Sequence, residues 1–405
     1  MKILFTFNGL PHYYNPVLNR LNKLPDTNVT VVIPSSGGLA IGAGVYQSDS
    51  GVEFKVDPLE EYKTFYGKSF FKDFSKYLTR EKPDVIVTVW PYILGFVLIP
   101  GLLKKIRRLG IKLILKDIPF LTPKYNEVYK FYMSGGIYNE KGETKSGGRN
   151  PFQLLSYFIL AQIRKYYLNM VDAHVDYIED AFEIFGSYGV KKEKIFIIYN
   201  SPDTDKLISI KNELENETPM LPPNNYRLIH VGRLVKWKRV DMLIDSISKI
   251  VSKFGKVELI VVGDGPELSN LKEQVKDLKL EENVIFTGAI YDSKLLGKYL
   301  KESAIYVIAG MGGLSINEAM CFGKPVICSV CDGTEKKLVK EDFNGKFFVN
   351  GDCEDLTRKI DYLLTNQQLI KNMGDNSLRI IKEEINIDVV IKGYTKAFEY
   401  VNGKN

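Results

Sequence analysis

The chain has 405 residues, of which 45% are hydrophobic, and carries 55 Lys and Arg against 49 Asp and Glu for a formal net charge of +6. That length exceeds a single core and predicts two domains. No uninterrupted apolar stretch approaches the roughly 20 residues that span a bilayer, and the start MKILFTFNGL reads as a strand entering a turn rather than a leader. The expectation is a cytoplasmic chain, and the placing of all four cysteines in the C-terminal half (Cys321, Cys328, Cys331, Cys353) agrees with it.

Along the first half, strand patterns at 2–7, 29–33, 85–89 and 112–115 alternate with helical ones at 16–24 and 70–80. Such alternation predicts a parallel sheet covered on both faces, whose ligands bind beyond the carboxyl ends of the strands. The loop after the first strand, FNGLPHYYN at 7–15, brings Gly9, His12 and Asn15 to that edge. Gly9 permits close approach, while His12 and Asn15 suit sugar or phosphate; a plain surface role fits His12 as well. Asp117, ending LILKD, takes a similar place.

Residues 92–103 are apolar and run into Lys104, Lys105, Arg107 and Arg108; residues 101–150 hold 11 basic and 4 acidic groups, +7. Two readings fit: a helix resting peripherally on the anionic inner face of the cell membrane, or a buried helix with a cationic last turn that suits its dipole. No familiar nucleic-acid motif accompanies the charge, so nucleic acid is not an expected partner. Residues 134–150 are polar and glycine-rich and read as a loop. A long helix is expected at 151–171, a strand at 172–178 and a helix at 180–188. Residues 204–225, with Pro219, Pro222 and Pro223, read as the linker.

In the second half, the buried strand 228–231 ends at Gly232 and is followed by Arg233 and Lys238. A guanidinium holds phosphate oxygens bidentately and an ammonium adds a point charge; a solvated basic loop is the alternative. The strand 257–262 runs into Gly263-Asp264-Gly265-Pro266, and the strand 283–288 breaks at Gly288, before Ala289 and Ile290. A last strand, 303–309, feeds Gly310-Met311-Gly312-Gly313 and a helix opening Leu314-Ser315-Ile316-Asn317-Glu318. Glycines and the unpartnered N–H groups of a helix start make a diphosphate site, and Glu318, one turn in, reaches sugar or ribose hydroxyls. Ser315 and Glu318 also fit a capping box, with no ligand involved. Cys328-x-x-Cys331 has metal spacing but lacks a second pair or a downstream histidine, so Cys328 reads as a strand residue and no metal is expected.

In order and spacing, Gly232-Arg233-Leu234 with Lys238, Gly263 to Pro266, Val284-x-Phe286-x-Gly288, and Gly313-Leu314 with Glu318-Ala319, Gly323 and Pro325-Val326 resemble the nucleotide-binding half of retaining glycosyltransferases of the GT-B fold, family 4 (glycosyl transferases group 1). The resemblance covers about 226–350 closely and the first half in general layout. It implies an α/β protein of two Rossmann-like domains with parallel sheets facing a central cleft. Residues 1–205 would bind the acceptor, 206–385 the nucleotide sugar, and 386–405 would be a helix crossing back to the first domain. It implies transfer of a hexosyl or deoxyhexosyl group, with retention and without a metal, from a nucleotide-diphosphate sugar to a glycan or lipid-linked glycan, as in surface polysaccharide synthesis. Arg233 and Lys238 would be catalytic. Gly232, Gly263, Gly288, Ala289, Ile290, Gly312, Gly313, Leu314, Ser315 and Glu318 would bind the donor, and Gly9, His12, Asn15 and Asp117 the acceptor. No cofactor is implied beyond the sugar nucleotide as co-substrate.

One departure stands out. The family's last motif usually carries two glutamates with seven residues between them; Glu318 takes the second place, the ribose contact, and Gly310 falls on the first, the sugar contact. A sugar-nucleotide-binding protein without transfer activity, or an epimerase of the same fold, therefore stays open beside the transferase. A dehydrogenase does not fit, since no Gly-x-Gly-x-x-Gly follows the first strand.

Overall fold

The structure is a computed structural model and describes residues 1–35, 47–134, 137–138, 144–145, 147 and 150–403. The chain forms two units: one runs to Tyr199 and takes up the C-terminal segment from Asp388, and the other is Asn200–Ile387.

The first unit is built on strands β1 (Lys2–Thr6), β2 (Asn28–Pro34), β3 (Lys55–Leu59), β4 (Val85–Thr88), β5 (Lys112–Lys116), β6 (Ala173–Asp176) and β7 (Ile195–Ile197), all parallel in the order β7-β6-β5-β4-β1-β2-β3. Most of their branched apolar residues are buried, as befits a sheet covered on both faces. β3 carries no clear alternation and went unread in the sequence; it is the edge strand, where Pro58 is tolerated. The helix Ile387–Val401 supplies Tyr394, whose hydroxyl bonds that of Tyr14 and whose ring meets Phe5 at 6.0 Å.

Several sequence expectations change here. The helix expected at 70–80 starts at Phe74, because residues 69–71 pair as a strand with Glu61–Lys63 and Asp73 sits in the left-handed region at φ 51°. The apolar run 92–103 is core rather than a membrane face: Ile93, Phe96, Leu102 and Ile106 are fully buried, and Phe71 stacks on Tyr92 at 4.4 Å. Burying each such side chain contributes about 1.5–3 kcal/mol. The 134–150 loop lies mostly outside the described residues; within it, Ile137–Tyr138 pairs with Thr144–Lys145. The long helix is Pro151–Met170, opened by Pro151 at its first position and by Asn150, whose side chain accepts from the Gln153 N–H at 2.9 Å.

The second unit holds β8 (Arg227–Val231), β9 (Glu258–Val262), β10 (Val284–Gly288), β11 (Ile305–Ile308), β12 (Val326–Cys328) and β13 (Gly345–Phe347), parallel in the order β10-β9-β8-β11-β12-β13. This order reverses between β8 and β11, and such a reversal opens a crevice at the carboxyl ends of those two strands. Half of the expected linker is helix: Thr204–Leu214 is capped by Asp203 and buries Leu207, Ile210 and Leu214. Their spacing of three and four is an apolar stripe that the prolines further on had masked.

Candidate functional site

At the switch point of the second unit, the loop after β11 folds against the turn after β8. A Cβ on Gly310 would stand 2.0 Å from the Trp237 carbonyl oxygen and 2.8 Å from the Lys238 carbonyl carbon. Only glycine allows this approach. The Met311 N–H donates to the same Trp237 carbonyl at 3.0 Å. Lys238, at the end of the turn Lys236–Lys238, is buried, and its Nζ donates to the carbonyls of Met311 (2.7 Å) and Gly312 (2.6 Å). Two of its three protons are thereby used, leaving one for a ligand.

The helix Leu314–Cys321 starts directly beyond. Its N-cap is Gly313, with no side-chain cap, and a Cβ on Gly313 would lie 3.6 Å from Lys238 Nζ. The N–H groups of Gly313, Leu314 and Ser315 have no acceptor among the described residues. A desolvated ammonium and open helix N–H groups converge on one spot, which is what an anion requires. Burial, and then Arg233, push the Lys238 ammonium down to about 8, while Asp332 and Glu335 oppose that shift. Arg233 lies with its Cζ 5.7 Å from the Trp237 ring centroid.

The capping-box alternative does not form. Ser315 sits inside the helix, its hydroxyl 2.7 Å from that of Tyr306 on β11. Glu318 has no hydrogen-bond partner among the described residues, and burial alone raises its carboxyl to about 7. It is a carboxyl held open next to the anion spot.

Gly263 acts through the backbone. Its Cα approaches the turn after β8 so closely that a Cβ would be 1.9 Å from the Gly232 carbonyl oxygen, while the Leu234 N–H donates to Asp264. The glycine sets the shape of the Arg233 loop. Gly288 ends β10 and accepts from the Gly263 N–H at 2.9 Å, leaving Ala289 exposed and Ile290 half-buried just beyond.

Two residues escaped the sequence reading. His230 on β8 is fully buried, its Nδ1 3.2 Å from the Val307 carbonyl, so that Nε2 is the bare nitrogen. Burial lowers its pKa to about 4, and it stays neutral beneath Gly232. Glu335 is the other. Its Oε1 accepts from the Gly312 N–H at 3.0 Å, and its Oε2 from those of Cys331, Asp332 and Gly333 at 3.4, 3.3 and 3.1 Å. Burial and Asp332 raise its carboxyl to about 7 against these bonds. Gly312 is thus gripped at both ends, by Glu335 at its N–H and by Lys238 at its carbonyl. No spacing rule connects a glutamate to an amide 23 residues earlier. The Asp332-Gly333 turn before it was the one local hint. Glu335→Gln, with a single accepting oxygen, should weaken nucleotide affinity and lower the melting temperature, since one set of N–H groups loses its acceptor. Glu335→Ala should also lose about 1–3 kcal/mol from unpaired N–H groups. Calorimetric titration beside thermal melts checks both.

The residues expected on the acceptor side lie in the other unit. Gly9 is buried, and His12 is exposed in the turn after β1. Asn15 is buried, with its amide donating to the Ser48 carbonyl at 2.7 Å. Asp117 follows β5, accepts from the Ile118 N–H at 2.8 Å, and has its pKa raised by burial. Near it, Asp176 at the end of β6 is fully buried with both carboxyl oxygens unpartnered, and Lys116 lies over the Tyr14 and Tyr177 rings at 5.1 and 5.5 Å. Among the described residues no group of three or more His, Cys, Asp or Glu could hold a metal ion.

The sequence pattern of the glycosyl transferases group 1 family matches residues 211–379, which contain every element of the anion spot. Over that segment the chain is similar to the group 1 glycosyltransferases. Over 250 residues it is 31% identical to an uncharacterized glycosyltransferase of Methanocaldococcus jannaschii, covering 60% of this chain and 62% of that protein. It is 24% identical over 225 residues to a poly(ribitol-phosphate) alpha-N-acetylglucosaminyltransferase of Staphylococcus aureus, covering 55% and 45%. The chain therefore spans about six-tenths of the length of the first relative and under half of the second. The crystal structure of HepE from Anabaena in complex with UDP is similar at a TM-score of 0.70 over 98% of this chain and 100% of that one, at 18% identity. That likeness gives the chain its fold, the two Rossmann-like domains of GT-B.

Proposed function

We propose that this chain transfers a hexosyl or deoxyhexosyl group from a nucleoside-diphosphate sugar to a glycan or lipid-linked glycan, with retention of configuration. The observation that carries the reading is the Lys238 ammonium beside the uncapped helix start at Gly313, with an unpartnered Glu318 one turn in. In that reading the diphosphate lies against Arg233, Lys238 and the N–H groups of Gly313, Leu314 and Ser315, and Glu318 accepts from the ribose hydroxyls. The bond from the sugar's anomeric carbon to the diphosphate breaks as a bond to the acceptor oxygen forms on the same face. The acceptor's proton passes to the departing phosphate. Charge building on that phosphate is stabilised by groups already in place, the largest single contribution in most such sites. HepE has been solved with UDP and with UDP-glucose, which supports a nucleoside-diphosphate donor.

The sugar contact differs from the family's usual one. Gly310 offers no carboxylate, and the N–H groups of Met311 and Gly312 are taken by Trp237 and Glu335, so backbone donors for a sugar begin at Gly313. A deoxy or amino-substituted sugar suits a pocket with fewer partners for hydroxyls. Acceptor-dependent release of a nucleoside diphosphate, measured with EDTA present, tests the transfer. Release is expected only when acceptor is added. Binding without release would leave a sugar-nucleotide-binding protein, and turnover without acceptor an epimerase.

A further inference from the structure

The helix Pro151–Met170 carries large apolar side chains on its exposed face as well as its buried one. Tyr157, Ala161 and Leu168 are buried, as a core-facing stripe should be. The opposite stripe, normally polar, carries Phe152, Leu155, Ile159 and Tyr166, exposed by 85, 55, 47 and 55%, with Phe158 beside it. No charged residue occurs from 151 to 163. The neighbouring exposed charge is mostly basic, with Glu127 the acidic exception and Arg107 paired to Asp172. Lys165 follows on the same helix. Lys130 sits on Val128–Met133, which packs alongside through the stacked rings of Tyr132 and Tyr157 at 5.0 Å. Arg107 bonds the Met170 carbonyl at 2.6 Å, and Lys104 and Arg108 are exposed on its own helix, Leu102–Arg108.

We propose that this helix docks on an anionic lipid surface, its first three turns entering the acyl boundary and the basic side chains meeting the headgroups. Apolar insertion combined with cationic flanks is the chemistry of helices that lie in a membrane interface. A second copy of the chain is the poorer occupant, because a stable protein interface uses about 20–30 residues a side and this stripe is a single helix face. The surface is separate from the donor spot, so lipid binding holds or fails independently of the glycosyl-transfer reading.

The test is flotation of the full chain with vesicles of phosphatidylcholine alone, or of equal parts phosphatidylcholine and phosphatidylglycerol, beside sedimentation without lipid. The wild-type chain is expected to float with the anionic vesicles and to stay behind with the neutral ones. Phe152→Ser and Ile159→Ser should each lower partitioning about tenfold, and Lys104→Glu or Arg108→Glu about fivefold, with melting unchanged in all. Three results would overturn the proposal: no flotation of the wild type with anionic vesicles, undiminished flotation of Phe152→Ser combined with Ile159→Ser, or a lipid-free dimer that this same double variant breaks.

Discussion

Arg233→Ala is expected to slow transfer by about two to three orders of magnitude with the melting temperature unchanged, whereas Lys238→Ala should lose rate and stability together. The rate loss is what removing one preorganised donor to a developing charge typically costs. The difference comes from what each side chain does in the fold. Lys238 Nζ bonds the carbonyls of Met311 and Gly312, so its removal strips the loop of two charge-assisted bonds, about 1.5–3 kcal/mol apiece. A pH signature accompanies this. The ammonium is the useful form, and its pKa in the free protein is about 8. Above that pH kcat/KM should fall, because the group loses its proton before the donor arrives. A bound diphosphate favours the proton, so the limb in kcat should lie at higher pH. Steady-state rates across the alkaline range, with melts of both variants, check the set. Near wild-type turnover in both would remove the assignment.

Gly310→Glu, which installs the carboxylate that relatives carry, should damage the protein instead of restoring a sugar contact. Any Cβ at 310 meets the Trp237 carbonyl oxygen at 2.0 Å and the Lys238 carbonyl carbon at 2.8 Å, both backbone atoms. The loop after β11 must then lift from the turn that carries Lys238. A cost of about 1–3 kcal/mol, the usual price of overpacking, should appear for Gly310→Ala already, together with weaker nucleotide binding. Gly186→Ala is the control, since a Cβ there meets nothing within 4 Å. If Gly310→Glu melts like the wild type and turns over normally, the close approach is not what fixes glycine at this position.

Much of the donor site could be read in the sequence because its parts are local. A strand that stops at glycine, a cation just after it and a helix that opens on glycine are neighbours in the chain as well as in space. The parallel sheet of the first unit was legible too, from strand and helix patterns that alternate along the chain. What escaped depends on contacts that sequence spacing does not encode. Glu335 is defined by amides at 312 and 331–333. The Ser315 hydroxyl is engaged by Tyr306 from the strand, which turns an apparent capping box into a packing contact. Thr204–Leu214 was hidden by the prolines that follow it. The run 92–103 had two readings since an apolar helix under a sheet and one on a lipid surface share a composition; the burial of Ile93 and Phe96 decides between them. The exposed apolar face lies instead on Pro151–Met170, and a buried helix of the same letters would have looked identical.

The central claim is that the second unit binds a nucleoside diphosphate through the helix start at Gly313 and through Glu318. Calorimetric titration of a panel of nucleoside diphosphates, with EDTA present and at several pH values, tests it most directly. One member of the panel should bind at one site per chain. The ionised Glu318 carboxyl accepts from the ribose, and its pKa in the free protein is about 7, so affinity should weaken below pH 7, by up to about tenfold per pH unit, and hold from there to about pH 8, where Lys238 begins to lose its proton. Glu318→Gln should bind more weakly and lose that dependence without a change in melting. If no nucleoside diphosphate binds, or if Glu318→Gln binds like the wild type at every pH, the account is contradicted.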